Sequence, residues 1–293
     1  MIESVQLTNK TTLQSIVIDQ FESNFVLDEV DLGVVNGTHH SYKYLNQIGA
    51  YIDSTTLEPR VISITGWVIG STYDLMEQNK QILNGLINPL HHVEAQVLDK
   101  YKITFKPDYS IKYSTGYVEN NEVLTKFLIQ GTCEDPLFTS LQESTIPIAT
   151  TYPKFKFPLI IPQNRGILFG LRESSLIMNV INGGQVDTGM VITFSCNSEV
   201  VNPRITNIST GEYFKFNKTI SPGEIVVVST LSGSKSIRGI IGESESSYFR
   251  YLDLGSTWLT LHPGDNLLKY DADKNPQGLE VSISFYNKYL EVQ

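Results

Sequence analysis

Cysteine is almost missing from this sequence: Cys133 and Cys196 are the only two in 293 residues. Two thiols do not make a disulfide framework, and each lies in or beside an apolar, strand-like run, so both are read as buried free thiols. Basic residues are scarce too, with 22 Lys+Arg against 31 Asp+Glu and a formal charge of −9. That balance excludes tight electrostatic binding of nucleic acid, which needs a basic stripe to release phosphate counterions. It leaves open an acidic lumen through which a polyanion passes without sticking. Long apolar runs are missing as well, since none approaches the ~20 residues needed to cross a bilayer. The start, Met1-Ile2-Glu3-Ser4, lacks a basic segment followed by an apolar one, so the expectation is synthesis and folding in a cytoplasm.

What the sequence does have is short β-favouring runs cut by turn chemistry. Between positions 181 and 266 the breaks are Asn182-Gly183-Gly184, Asn202-Pro203, Thr210-Gly211-Glu212, Ser221-Pro222-Gly223-Glu224, Leu231-Ser232-Gly233 and the run from Leu261 to Asn266. Between them lie Met190 to Phe194, Tyr213 to Phe216 and Ile225 to Val228. Strands of this length with turn signals about every 8–12 residues are the pattern of an antiparallel sandwich. The length favours two domains. A Ser/Thr/Pro-rich stretch without clear period puts a linker at 141–152, between domains at 1–140 and 153–293. The apolar runs 155–162 and 167–170 and Leu176 to Met178 are expected to open the second domain.

In the first half, residues 2–8 alternate as a half-buried strand, and strands follow around Ile16 to Ile18 and Phe25 to Leu32. The polar stretch 36–56, with His39 and His40, reads as a long loop turning at Gly49, and such loops commonly make partner contacts. Arg60 to Gly70 is the strongest strand. The one convincing helix follows, with Ser71 and Asp74 in a capping-box arrangement. Its apolar residues Leu75, Met76, Ile82, Leu83, Leu86 and Ile87 fall on one face, and Asn88-Pro89 ends it. Val93 to Leu98 and Lys100 to Phe105 form a hairpin. Residues 108–121 make a tyrosine-rich strand and turn, and Val123 to Thr132 is an apolar strand stopped by Glu134-Asp135-Pro136.

Groupings that would carry chemistry fail on inspection. His39-His40 and His91-His92 are adjacent pairs, so on a strand each pair offers only one imidazole to any metal. His262, with Ser256 and Asp253 nearby, lacks the nucleophile elbow of a hydrolase. Asp271 to Asn275 begins like a calcium loop but meets Pro276 where Gly is needed and Ser282 where a bidentate Glu should close it. No carboxylate pair stands out for glycoside cleavage. The sequons at Asn9, Asn36, Asn207 and Asn217 are read as chance in an Asn/Thr-rich β protein. Trp67 and Trp258, with Tyr109, Tyr113 and Tyr117, are the candidate sugar-stacking aromatics, while core packing is the plainer role for Trp258. The expectation is therefore no catalytic, metal or cofactor residue.

Read in order, these punctuated runs resemble the distal tail proteins of long-tailed bacteriophages. The resemblance rests on Arg60-Val61-Ile62 through Gly66, the helix to Leu86-Ile87-Asn88-Pro89, Lys100-Tyr101, and Phe127-Leu128-Ile129-Gln130-Gly131-Thr132-Cys133-Glu134-Asp135-Pro136-Leu137-Phe138. In the second half it rests on Val180 to Gly184, Asn202 to Asn207, Thr210-Gly211-Glu212, Pro222-Gly223-Glu224 and Ser256 to Asn266. Two departures touch second-domain turns: Gly184 and Gln185 precede Asp187 where the family often has an earlier acid, and Ser229-Thr230 stand where an acid tends to follow. The resemblance implies a mainly β chain, with an N-terminal antiparallel barrel or sandwich carrying one helix and a C-terminal galectin-like sandwich. It further implies a virion protein at the tail tip, a homo-hexameric ring formed by the first domain, and contacts with the tail tube, the baseplate or tip and possible receptor-binding proteins. DNA would pass through the bore. The rival expectations are a module binding host cell-wall glycan and a cell-wall glycosidase.

Overall fold

The computed structural model describes residues 2–21, 24–46, 48–147, 151–153, 170–172 and 177–292. Strands make up 53% of the described residues and helix 8%, which fixes the class as mainly β. The chain folds as two compact units: Met1–Gln142 with Tyr289–Gln293, and Glu143–Lys288.

The first unit begins with β1 (Ser4–Asn9), β2 (Ser15–Asp19) and β3 (Phe25–Asp31), followed by the pair β4 (Gly37–Tyr42) and β5 (Tyr51–Leu57). Then come β6 (Arg60–Ile69), α1 (Tyr73–Leu86), β7 (Val93–Val97), β8 (Tyr101–Pro107), β9 (Lys112–Tyr113), β10 (Leu124–Cys133) and β11 (Phe138–Ser140). Seven of these close a barrel in the order β8-β7-β1-β2-β3-β6-β10, with β10 returning to β8 through Gly131↔Pro107 and Thr132↔Lys106. The pairings are antiparallel except β2 to β3, a parallel bridge at Asp19↔Val26. Closure removes the exposed edges that an open sheet would leave. Strict alternation drives it: β6 and β10 bury every second residue, so Ile62, Ile64, Phe127 and Ile129 share one core with Val5, Leu7 and Phe105. Gly131 is required at the closing point, because a Cβ there would meet the Phe105 ring at 2.2 Å. Leu98 and Asp99 both adopt positive φ (55° and 52°) in the three-residue connection between β7 and β8, where the Lys100 amide donates to the Val97 carbonyl at 3.3 Å.

Helix α1 departs from the sequence reading in two ways. Its cap is Thr72, whose hydroxyl accepts from the Leu75 amide, and not Ser71. Its buried stripe is Met76, Asn79, Leu83 and Leu86, leaving Leu75 and Ile82 exposed. Asn79 is tolerated inside because its amide donates to the Ile69 carbonyl at 2.8 Å. The largest correction is at 36–56, which is a β-hairpin and not a loop. Its Ser, Thr and His residues pair through the backbone, without the apolar alternation that signals a strand.

The second unit holds β12 (Ser144–Pro147), β13 (Thr151–Pro153), β14 (Gly170–Arg172), β15 (Ile177–Asn182), β16 (Val191–Cys196), β17 (Val200–Asn207), β18 (Tyr213–Lys215) and β19 (Thr219–Ile220). It continues with β20 (Glu224–Ser229), β21 (Ser236–Ile241), β22 (Ser244–Ser247), β23 (Gly264–Lys274) and β24 (Leu279–Phe285). The sheet β12-β24-β16-β20-β21-β22 and the sheet β15-β23-β17-β18, with β19 on β17, contribute to one core. Phe194, Val228 and Ile283 come from the first sheet and Ile205, Phe214 and Leu268 from the second, the layout of a sandwich. Part of the stretch expected as linker is therefore an edge strand, β12, and Pro147 is tolerated there because an edge residue need not donate. The runs at 155–162 and 167–169, and Leu176, lie outside the described residues. Finally β25 (Lys288–Tyr289) pairs with β11, so the last residues return to the first unit and are not part of the second.

Candidate functional site

All 13 strand residues of the β4–β5 hairpin are exposed on both faces. Its interior is polar: His39 Nδ1 lies 2.9 Å from Thr55 Oγ1, and His40 Nε2 lies 3.3 Å from Thr56 Oγ1. Its end is apolar and aromatic. Tyr42 packs on Tyr51 and Tyr44 with ring centroids 5.1 and 5.3 Å apart, and Leu45 and Ile48 are 95% and 102% exposed. A two-stranded hairpin is marginal alone in water, and clustered exposed apolar groups mark contact surfaces. Helix α1 adds a second exposed apolar stripe, with Tyr73, Leu75 and Ile82 beside the buried one. At its flank the Tyr113 hydroxyl donates to Asn84 Oδ1 at 3.0 Å, and burial, with the Glu77 charge, pushes that phenol well above its ordinary range.

In the second unit the punctuating residues fix turns from inside. Asn182, 1% exposed, donates to the carbonyls of Val186 and Leu261 and accepts from the Gly184 amide. Asn266, 2% exposed, bonds the backbone of His262, Gly264 and Val180. Asn207 accepts from the Ser209 and Thr210 amides. Glu224 is buried, held by Lys218, by the Tyr248 hydroxyl at 2.7 Å and by the Ser221 amide. Burial alone would raise its carboxyl, but those bonds outweigh it and hold the group below the usual carboxylate range. Gly223 makes the preceding turn at φ +88°, which a side chain rarely adopts.

Residues 183–289 match the family described as siphovirus-type tail component, C-terminal domain. The whole chain has the fold of the Dit protein of phage SPP1, described as a paradigm of the hub adsorption apparatus in phages infecting Gram-positive hosts. The TM-score is 0.65 at 15% identity, covering 97% of this chain and 98% of that one. It also resembles a chain of the phage P2 baseplate in its activated conformation with calcium, at TM-score 0.54 and 10% identity over the full length of both. No curated protein matches it in sequence. Of the buried turn-fixing residues, Asn207, Glu224 and Asn266 lie within the matched stretch and Asn182 immediately before it.

The residues weighed for chemistry are engaged elsewhere. His91 faces Asn9, and His92 faces Glu134 at 3.7 Å. His262 pairs with Asp187 at 2.9 Å, Ser256 bonds the Lys215 backbone, and Asp253 takes bonds from Tyr213 and Asn217, so no triad assembles from them. Asp271 and Asp273 lie on β23 and face Arg204 (2.7 Å) and Lys215 (3.0 Å), not a calcium loop. Among the described residues no three His, Cys, Asp or Glu side chains gather as metal ligands. Two sequon asparagines, Asn9 and Asn207, are buried. Trp67 belongs to the first unit, with Lys126 Nζ 5.4 Å from its ring centre. Trp258 belongs to the second, half-buried against Phe214 (5.5 Å) and Phe249 (6.0 Å), with Lys235 Nζ 5.6 Å from its ring centre. Tyr109 donates to Gln130, and Tyr117 stands exposed. Sequence reasoning missed the hairpin and the burial of Arg60, which is fully enclosed. For the hairpin the available signal was the cross-strand run of Thr, Ser and Tyr on either side of Gly49.

Proposed function

We propose that this protein is a distal tail hub: copies associate through the first unit into a ring, a hexamer on the family resemblance, that joins the tail tube to the baseplate or tip. DNA passes through the bore, the chain resides at the virion tail tip, and it catalyses nothing. The observation that carries the reading is the exposed β4–β5 hairpin with its apolar tip, on a chain that has the fold of phage hub proteins over nearly its full length. A ring interface is heterologous, so an arm on one subunit meets a different surface on the next, and the exposed Leu75 and Ile82 stripe supplies a surface of the matching character. The excess of acidic residues suits a bore that repels DNA.

Light scattering after size-exclusion chromatography, with negative-stain images of the peak, tests this. Rings, or monomers that become rings on adding tail-tube and tip proteins, support it. A chain that stays monomeric with those partners present overturns it.

A further inference from the structure

Arg60, at the start of β6, is 0% exposed. Its guanidinium lies 4.6 Å from the centre of the Phe138 ring on β11. Its Nη1 donates to the Leu32 carbonyl at 3.3 Å, and its Nη2 donates to the Leu290 carbonyl and to Glu291 Oε1, the latter at 3.2 Å. Nε has no acceptor among the described residues. A buried cation is expensive to leave unpaired, so these partners are what make the position tenable. Both groups of partners have a topological meaning. Phe138 lies on the strand that leads out of the first unit just before Gln142, and Leu290 and Glu291 lie just after the chain returns at Tyr289. The outgoing strand β11 and the returning strand β25 are hydrogen-bonded neighbours. Tyr289 also packs edge-on against Tyr101, with centroids 5.0 Å apart, and Val292 packs on the barrel core.

The geometry points to Arg60 as a clasp that fastens together the two chain connections by which the second unit is inserted into the first. One buried cation grips the outgoing strand through a ring face and the segment just after the returning strand through a carbonyl and a carboxylate. The second unit is thus held by two connections, and the returning one stays seated only while Arg60 keeps its partners. Releasing residues 289–292 leaves the second unit on the single connection at 142–143. This inference is independent of ring assembly.

Hydrogen exchange with mass spectrometry on the full chain tests it, using E291K and R60M. E291K sets a like charge against the buried guanidinium, while R60M fills the space without charge and leaves Glu291 in water. The expected result is protection falling about tenfold or more in peptides covering 138–142 and 289–292 in both variants. Peptides covering 191–196 and 224–229 in the sandwich keep their wild-type rates. If E291K fails to fold, E291Q and R60M carry the test with the same expected localisation and a smaller effect for E291Q. Unchanged protection at 138–142 and 289–292 overturns the clasp. So does a loss spread evenly over barrel and sandwich, because Arg60 would then be a general core residue.

Discussion

Glu224 is where a sequence motif turns into a measurable electrostatic effect. Its carboxyl is buried, yet Lys218, Tyr248 and Ser221 keep it ionised; Asp271 is also held low, with burial opposed by Arg204, and Asp273 is held low by its bonds from Asn202 and Lys215. A carboxyl whose folded value lies below its unfolded value of about 4.3 stabilises the protein at pH above the unfolded value. The contribution is lost as the pH falls through the lower folded value. Stability of the sandwich should therefore fall progressively as the pH drops below about 5. E224Q should lower stability at pH 7 by about 1–3 kcal/mol and flatten that acid limb, leaving the share of the two aspartates. Calorimetric unfolding across this range checks both, and an E224Q profile parallel to wild type would contradict the assignment. The thiols give a second check. Cys133 is fully enclosed and pushed up to about 12 by burial, with Arg60 pulling the other way, and burial also raises Cys196. Neither should react with a disulfide reagent until denaturant is added, when both should titrate.

Among the elements, helix α1 separates what pattern reveals from what it hides. Its extent and apolar side were legible because Leu83 and Leu86 recur at helical spacing and Pro89 forbids continuation. Which apolar residues face inward was not legible, because Leu75 and Ile82 fit the same period and only the barrel surface decides between the stripes. L83A should therefore cost about 2–5 kcal/mol, while I82A should fall within about 0.5 kcal/mol in urea titrations of the unassembled chain. Comparable losses for the two would mean that the helix is turned the other way. The barrel strands were readable for the same reason as Leu83: one face is buried, so β6, β7 and β10 alternate cleanly. The β4–β5 hairpin buries neither face in the isolated chain, so it leaves no hydrophobic period to read. The turns of the sandwich were visible through Asn-Gly and Pro-Gly, but the buried carboxamides of Asn182 and Asn266 look in sequence like any surface asparagine.

For the molecule as a whole, the proposed ring requires an acidic chain to meet copies of itself. A net charge of −9 makes subunits repel, while the hairpin tip offers Tyr42, Tyr44, Leu45, Ile48 and Tyr51, which carry no charge. Contact driven by apolar burial and opposed by net charge strengthens as salt screens the repulsion over a Debye length that shrinks from about 30 Å at 0.01 M to about 10 Å at 0.1 M. The assembled fraction should rise with salt across that range. L45S/I48S should abolish assembly while moving monomer stability by no more than about 0.5 kcal/mol, because both positions already lie in water in the free chain. Sedimentation velocity at several salt concentrations, paired with urea titrations of both proteins, reads the two effects separately. Assembly that weakens as salt is added would place the interface on opposite charges and not on the arm. An assembled L45S/I48S would show that the subunits join through another face.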